Sequence, residues 1–220
     1  MDITNIIVKE VRVMNFFNSK ETVLFQGDSI TDCGRDRGDI CNLGTGYPLL
    51  VSAHLSSVYT DIDFTFINKG ISGNRACDLN ARWDEDCVAL KPTVVSILVG
   101  INDTWRRYDS NDPTNVEVFE NRYRQILTRT KNEVTDRIIM MEPFILPVHK
   151  EQLQWHEDLD PKIQCVRALA REFGARYIPL DGMFAAACMK KSPAFWSQDG
   201  VHPTVAGHGL IAKAWVDAVR

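Results

Sequence analysis

The amino-acid sequence predicts an α/β fold, a three-layer α/β/α sandwich around a parallel sheet of five strands. Short apolar runs recur along the chain, and segments with helical periodicity separate them. Runs that are apolar throughout, without polar alternation, are typical of strands buried on both faces. A chain of 220 residues can bury roughly 70 % of its unfolded surface, so its core needs no disulfide or metal.

The predicted strands are the apolar runs, and the first of them ends at Gly27. Their ranges are 22–26, 64–67, 94–99, 138–141 and 177–180. In a parallel sheet the carboxyl ends of the strands can share one edge, and the binding sites of open α/β sheets lie there. The residues directly after each run are therefore the first candidates for function.

Between the runs, apolar residues recur at intervals of three and four, which predicts amphipathic helices. Such faces lie within residues 119–130, 159–173 and 211–219. Pro203 suits the first turn of the last of these helices.

No internal repeat, low-complexity tract or linker divides the chain. The sequence therefore predicts one domain over residues 21–220, preceded by an N-terminal arm over residues 1–20.

The composition excludes several classes of protein. With 25 Lys and Arg against 29 Asp and Glu, the formal net charge is −4, and no block of like charges suits nucleic acid. The apolar stretches are far shorter than the roughly 20 residues that span a bilayer. The N-terminus lacks the features of a signal peptide, which predicts a cytoplasmic protein. The six cysteines form no C-x-x-C pair, so we expect reduced thiols.

Four segments carry residues suited to catalysis. They are Gly27-Asp28-Ser29, Asn68 through Asn74, Gly100-Ile101-Asn102-Asp103 and Asp199-Gly200-Val201-His202-Pro203. Ser29 comes directly after a strand, a position that displays a catalytic nucleophile. The glycine-rich second segment can offer backbone N–H groups, and Asn102 its amide N–H, to an oxyanion. Asp199 can hold the Nδ1–H of His202 and leave Nε2 free to take a serine proton.

Each segment taken alone also fits a structural role. The serine suits a helix cap, the glycine-rich and Asn-Asp segments suit turns, and an Asp-x-x-His spacing can be incidental. Their joint occurrence in the order Ser, Gly, Asn and Asp-x-x-His favours catalysis.

Four sequence blocks resemble those of the SGNH, or GDSL, hydrolase superfamily: Gly27-Asp28-Ser29, Gly73, Asn102 and Asp199-x-x-His202. The resemblance implies the flavodoxin-like SGNH hydrolase fold and a serine esterase. In such an enzyme Ser29 attacks the ester, His202 accepts its proton and Asp199 orients the imidazole. The oxyanion hole that the resemblance implies consists of the backbone N–H groups of Ser29 and Gly73 and the side chain of Asn102.

Longer strings resemble the intracellular bacterial acetylxylan esterases of this superfamily. They cover residues 28–35, 43–47, 68–74, 81–83, 102–106 and 201–208. The resemblance implies that the protein removes acetyl groups from xylo-oligosaccharides, needs no metal or other cofactor, and forms a homo-oligomer. Its partner is then a small-molecule or oligosaccharide ester, and not nucleic acid or a membrane.

Three residues are predicted to contact the sugar. Trp105 and Arg106 follow the third segment, and Trp196 precedes the fourth. Aromatic planes stack on sugars and arginine donates to hydroxyls, although Trp105 and Arg106 could instead pack against the arm or another subunit. The subgroup tends to place a tryptophan directly before the triad aspartate, whereas here Ser197 and Gln198 follow Trp196. This departure concerns the sugar side of the pocket and leaves the chemistry unchanged.

Other functions stay open at this stage. An esterase of the same superfamily could act on other acyl esters or other acetylated glycans. A non-catalytic carbohydrate-binding relative would have lost the serine, asparagine or histidine, and none is lost here. A metal-dependent hydrolase is a further alternative, although no H-x-H or H-E-x-x-H motif supports it. It would use Asp28, Asp32, Asp199 and His202.

The remaining histidines are assigned no catalytic role. His208 lies on the last predicted helix and is expected to pack in the interior. His149 and His156 lie in a segment after the fourth strand, residues 143–160. This segment could line the acyl or sugar pocket, but a solvated loop is predicted.

Overall fold

The computed structural model describes residues 16–220 and contains a sheet of five parallel strands in the order β2-β1-β3-β4-β5. The strands are β1 (Lys20–Gly27), β2 (Asp63–Asn68), β3 (Val94–Leu98), β4 (Ile138–Met141) and β5 (Arg176–Ile178). The order 2-1-3-4-5 is that of the flavodoxin-like fold, with a topological switch point between β1 and β3. The predicted fold class is confirmed, and each predicted strand is present within three residues of its expected bounds.

Helices connect the strands. They are α1 (Ser29–Asp32), α2 (Tyr47–Val58), α3 (Ala76–Ala81), α4 (Trp83–Asp86), α5 (Ile101–Asp109), α6 (Val116–Glu133), α7 (His156–Phe173), α8 (Leu180–Cys188), α9 (Pro193–Trp196) and α10 (Val205–Val219). Short 3-10 helices lie at Val88–Leu90 and Lys150–Trp155. Within residues 16–220, no helix has both the length and the apolar character that crossing a bilayer requires.

Two hydrophobic cores lie on opposite faces of the sheet. In β1, Val23 and Phe25 belong to one core and Leu24, between them, to the other. Helices α2, α8 and α10 cover the first core, helices α3, α4 and α6 cover the second, and α7 contributes to both. Because successive strand side chains point to opposite faces, a strand covered on both sides must be apolar throughout. This is why the strands are continuous apolar runs.

The predicted boundary between arm and domain, after residue 20, lies at the start of β1, whose first residue is Lys20. Phe17 is buried, with ring centroids 5.8 Å from Tyr59 and 5.1 Å from Phe64. Residues 16–20 therefore belong to the packed domain, while residues 1–15 of the predicted arm lie outside the described residues.

Two structural expectations from the sequence, for Pro203 and for residues 143–160, are wrong. Thr204 is the N-cap of α10, because its side chain accepts a hydrogen bond from the N–H of Gly207. Pro203 therefore precedes the helix instead of lying in its first turn. The segment 143–160 is not a solvated loop: residues 144–146 are buried, and it continues into the second 3-10 helix and α7.

An ion pair with a buried carboxylate links β1 to Arg137, the residue directly before β4, at the amino end of the sheet. The Glu21 side chain in β1 is fully buried and accepts hydrogen bonds from Nη1 and Nη2 of Arg137 at 2.6 and 2.9 Å. Burial raises the pKa of Glu21, but the hydrogen bonds from Arg137 and Thr93 outweigh it, so the pKa lies below its usual range. A carboxylate in this position depends on its cation.

We expect Arg137→Met to lower the free energy of unfolding by about 3 kcal/mol at pH 7, because it leaves the Glu21 carboxylate buried without its partner. Urea unfolding measures this loss. Since the folded pKa of Glu21 is depressed, the contribution is present above the unfolded pKa and disappears as the pH falls through the folded pKa. The difference in the free energy of unfolding between variant and wild type should therefore shrink towards pH 3.

The matched control is Arg124→Met, which removes an arginine that pairs on the surface with Glu120 and Glu172. Exposed pairs contribute about 0–1 kcal/mol, so this variant should unfold close to the wild type. Equal losses of unfolding free energy in Arg137→Met and Arg124→Met would show that the burial of Glu21 does not matter.

Candidate active site

The carboxyl ends of β1, β2 and β3 bring the first three predicted segments together. The N–H of Ile71, after β2, donates to the carbonyl of Gly27 at the end of β1 at 3.1 Å. The side-chain Nδ2 of Asn102, after β3, donates to the carbonyl of Asn74 at 3.1 Å. The segments that the sequence marks as catalytic therefore form one continuous surface at this edge of the sheet.

Ser29 is displayed by a tight turn between β1 and α1. A Cβ atom on Gly27 would overlap the carbonyl oxygen of Leu98 and the hydroxyl of Thr31, so only glycine allows the chain to turn here. Asp28 then caps α1, because its Oδ1 accepts a hydrogen bond from the N–H of Ile30 at 3.0 Å. The serine is the first residue of the helix, and its hydroxyl faces the solvent side of the sheet edge.

Ser29, His202 and Asp199 form a hydrogen-bonded chain. The hydroxyl of Ser29 lies 2.8 Å from Nε2 of His202, and Nδ1 of His202 lies 2.6 Å from Oδ2 of Asp199. An ionised carboxylate only accepts hydrogen bonds, so Nδ1 carries the proton and Nε2 is free to accept from the serine. The three residues are thus arranged as a nucleophile, a general base and the group that orients the base.

The Asp199 carboxylate is held in its ionised form. Its Oδ1 accepts hydrogen bonds from the main-chain N–H groups of His202 at 2.7 Å and Val201 at 2.9 Å. Burial raises the pKa of Asp199, but the hydrogen bonds from the His202 ring and from these N–H groups outweigh it, and the pKa lies below its usual range. A charged carboxylate at this distance can stabilise the imidazolium that forms when His202 takes a proton.

Three groups are predicted to form the oxyanion hole. The N–H of Ser29 belongs to the first turn of α1, where no intrahelical acceptor exists. Gly73 has a φ of +85°, a conformation that favours glycine in the turn after β2. The Asn102 side chain is almost fully buried, and the amide nitrogen that donates to Asn74 carries a second hydrogen. Their joint action on one oxyanion stays a prediction.

An aromatic wall formed by Trp105, Trp155 and Tyr108 lies beside the His202 imidazole. The ring of Trp105 lies 5.8 Å from that of His202 and 5.6 Å from that of Trp155, and Trp155 stacks on Tyr108 at 5.2 Å. The guanidinium of Arg106 lies 5.7 Å from the centre of the Trp105 ring and also pairs with Asp109. No sequence motif marks Trp155, which lies in the segment 143–160 that the sequence predicts to be a solvated loop.

Trp196 precedes the Asp199–His202 segment. It ends α9 and is partly buried against the first core, and its carbonyl accepts a hydrogen bond from the N–H of Thr204 at 2.8 Å. An open groove beside His202 is lined by the exposed residues Phe195 and Gln198. Sugar binding by Trp105, Arg106 and Trp196 therefore stays a prediction. No sequence motif marks Phe195 or Gln198 as a contact for a sugar.

The four side chains considered for a metal-dependent hydrolase do not converge. Asp32 accepts hydrogen bonds from Arg37 at 2.6 Å and from the N–H of Ser72 at 3.0 Å, whereas Asp199 faces His202. In the part of the chain that the structure describes, no three His, Cys, Asp or Glu side chains are grouped so that they could hold a metal ion. The geometry favours the serine mechanism instead.

His208 has the packed position that the sequence predicts. It is 5 % exposed, and its Nδ1 accepts a hydrogen bond from the N–H of Tyr47 at 3.1 Å. Nε2 therefore carries the proton and lies 3.3 Å from Sγ of Cys33. Burial lowers the pKa of His208 to about 4, so the ring is neutral at physiological pH.

The chain is similar to known proteins over most of its length. The sequence pattern of the GDSL-like Lipase/Acylhydrolase family matches residues 25–210. The acetylxylan esterase of Geobacillus stearothermophilus is 40 % identical over 206 residues, which cover 90 % of this chain and 93 % of that protein. A crystal structure of acetylxylan esterase from this organism has a TM-score of 0.86 at 37 % identity and covers 94 % and 96 % of the two chains. A Parabacteroides merdae structure described as a GDSL-like lipase has a TM-score of 0.87 at 38 % identity, with coverage of 92 % and 97 %.

A second acid at the site, Asp103, gives a prediction about stability. It is buried, its Oδ2 accepts a hydrogen bond from the N–H of Ala76, and burial raises its pKa from 3.8 to about 7. The folded state thus keeps a proton that the unfolded chain releases, so this residue makes stability fall as the pH rises from 4 to 7. We expect Asp103→Asn to remove that slope and to be more stable than the wild type by about 2 kcal/mol at pH 8.

Urea unfolding at several pH values measures the effect, and Asp61→Asn, at an exposed loop position, is the control. The control should follow the wild-type curve. A curve for Asp103→Asn that runs parallel to the wild type at every pH would contradict the raised pKa.

Proposed function

The chain belongs to the GDSL-like lipase/acylhydrolase family and is a carboxylic ester hydrolase, and from this premise we propose that it removes acetyl groups from xylo-oligosaccharides. The observation that carries the proposal is the chain of hydrogen bonds from Ser29 Oγ to His202 Nε2 and from His202 Nδ1 to Asp199, at 2.8 and 2.6 Å. The similar Geobacillus protein is an acetyl-xylooligosaccharide esterase, and its catalytic mutants replace a serine, an aspartate and a histidine.

In the first half of the reaction, Ser29 Oγ attacks the carbonyl carbon of the acetyl group while His202 Nε2 takes the hydroxyl proton. Asp199 stabilises the imidazolium that results. When the tetrahedral intermediate collapses, the bond from the carbonyl carbon to the sugar oxygen breaks, and His202 returns its proton to that oxygen. The products of this half are an acetyl-serine and a sugar with a free hydroxyl.

In the second half, water replaces the sugar. His202 takes a proton from the water, whose oxygen attacks the acetyl-serine carbonyl, and a second tetrahedral intermediate forms. Its collapse breaks the bond to Ser29 Oγ, which regains the proton from His202, and acetate leaves. In both halves, the negative oxygen is stabilised by the N–H groups of Ser29 and Gly73 and by Asn102. One such donor contributes about 3 kcal/mol to the stabilisation of a transition state.

The sugar is proposed to lie between the aromatic wall and the groove beside His202. Trp105, Arg106 and Trp196 are the candidates for contacts with it. The Trp105 ring and the exposed Phe195 ring offer apolar surface on which a pyranose can stack, and Arg106 can donate to its hydroxyls. The partner is a small-molecule or oligosaccharide ester, with no role for nucleic acid, a membrane or a cofactor.

We also propose that the enzyme works in the cytoplasm as a homo-oligomer, as the resemblance to intracellular acetylxylan esterases implies. The net charge of −4 is consistent with a surface that does not attract nucleic acid. Exposed apolar side chains on α2, among them Leu49 and Val58, offer a surface on which copies can associate. Light scattering with size-exclusion chromatography tests the oligomer.

Ser29→Ala removes the nucleophile, and we expect the rate of acetate release from acetylated xylo-oligosaccharides to fall by about a thousandfold or more. The control is Ser57→Ala, an exposed serine that donates to the carbonyl of His54 on α2 and should keep full activity. If Ser29→Ala retains more than a few per cent of wild-type activity, the nucleophile is another residue.

The choice of ester separates the proposal from its main alternative. We expect faster release from 4-nitrophenyl acetate than from the octanoate, and faster deacetylation of xylo-oligosaccharides than of manno-oligosaccharides or pectin fragments. Initial rates at equal substrate concentration measure both preferences. Faster hydrolysis of the octanoate would favour a lipase-type acylhydrolase, and a preference for another acetylated glycan would change the substrate while leaving the triad in place.

A further inference from the structure

A buried glutamine supports the acidic end of the triad from a different part of the chain. Gln152 lies in the 3-10 helix Lys150–Trp155 and is 4 % exposed. Its Nε2 donates to the main-chain carbonyl of Asp199 at 2.5 Å. We propose that Gln152 is a positioning residue for catalysis, which acts through the backbone of Asp199. The proposal rests on the proposed function, because it assumes that Asp199 and His202 belong to the triad.

Both ends of the Gln152 amide are used. While Nε2 donates to Asp199, Oε1 accepts a hydrogen bond from the N–H of His149 at 2.8 Å. A rotation of the amide by 180° would bring oxygen against oxygen and nitrogen against N–H, so the two partners select one orientation. The side chain is therefore a fixed bridge between the 3-10 helix and the Asp199 turn.

The residue after Asp199 is shaped to receive this bridge. Gly200 has a φ of +88°, and a Cβ atom on it would lie 2.5 and 2.6 Å from Nε2 and Oε1 of Gln152. The carbonyl of Gly200 accepts a hydrogen bond from the N–H of Leu146 at 2.8 Å. The carbonyl groups of both residues of the turn are thus held by the segment that follows β4.

This support is needed because the Asp199 carboxylate is held from within its own loop. The groups that donate to it are the His202 ring and the N–H groups of Val201 and His202, with Ser197 Oγ at 3.3 Å. Such bonds fix the shape of the loop, but they do not fix the loop relative to Ser29, which lies after β1. A displacement of about 1 Å in a catalytic group can reduce a rate by about a hundredfold.

Gln152→Met keeps the length of the side chain and removes both hydrogen bonds. We expect kcat for 4-nitrophenyl acetate to fall by about tenfold or more with KM within about twofold, because transition-state geometry is lost and ground-state contacts are not. Since the carboxylate favours the imidazolium, a looser Asp199 should also shift the acid limb of the pH profile of kcat/KM to lower pH.

The matched control is Gln154→Met, in the same 3-10 helix but with an exposed side chain, and its kinetics should equal those of the wild type. Gln152→Glu provides a second signature. Its carboxylate repels the Asp199 carbonyl, but the protonated acid can donate to it, so kcat relative to the wild type should recover as the pH falls.

Thermal unfolding of each variant ensures that rates are measured on folded protein. A Gln152→Met enzyme with a lower Tm but unchanged kcat and pH profile would overturn the proposal, as would a change confined to KM. If Gln152→Met does not fold, a constant ratio of Gln152→Glu to wild-type activity at every pH overturns it instead.

Ser29→Ala is assayed in parallel. Retained activity in Ser29→Ala means that the proposed function fails. An inactive Ser29→Ala with an unchanged Gln152→Met means that only the role of Gln152 fails.

Discussion

The parallel pairing of β1 between β2 and β3 is the constraint on which the site depends. Phe25 pairs with Asn68 of β2, and Gly27 pairs with Leu98 of β3, so the three strands end at nearly the same level. A different functional group follows each strand: a hydroxyl follows β1, main-chain N–H groups follow β2 and a buried amide follows β3. No long-range loop has to be ordered to bring these groups together, because the backbone hydrogen bonds of the sheet already do so.

His202, the proposed base, and Asp199, its proposed orienting acid, reach the site differently. They lie in a loop before α10, and that helix packs on α2 and on the first core. The helix N-terminus is fixed by Thr204, whose hydroxyl donates to the carbonyl of Phe195 at 2.7 Å and whose side chain caps Gly207. Two supports therefore define the loop: the start of α10 on one side, and the contacts of Leu146 and Gln152 on the other. Ser29 is therefore placed by the sheet, whereas His202 and Asp199 are placed by tertiary packing.

This difference explains how far the sequence could predict the molecule. The strands were predictable because burial on both faces forces a continuous apolar run. Ser29, Asn102 and His202 could be chosen as candidate site residues because each lies in a short motif next to a strand or helix end. Gln152 and Trp155 were not predictable, since their partners are distant in sequence and no periodicity marks them. Polar residues around them suggested a solvated loop, whereas residues 144–146 fill the first core. Long-range contacts of this kind leave no local signal.

The carboxyl groups of the site differ in charge because they differ first in burial and then in hydrogen-bond donors. Asp199 accepts hydrogen bonds at both oxygens, and its pKa lies below the usual range. Asp28 and Asp103 each accept one main-chain hydrogen bond, and each has an oxygen without a partner among residues 16–220. Burial raises the pKa of both to about 7. Of these three carboxyl groups, Asp199 is therefore the one that is charged near neutral pH, and its charge lies beside Nδ1, on the side of the His202 ring that faces away from Ser29. This asymmetry leaves Nε2, and not Nδ1, free to exchange a proton in the proposed mechanism.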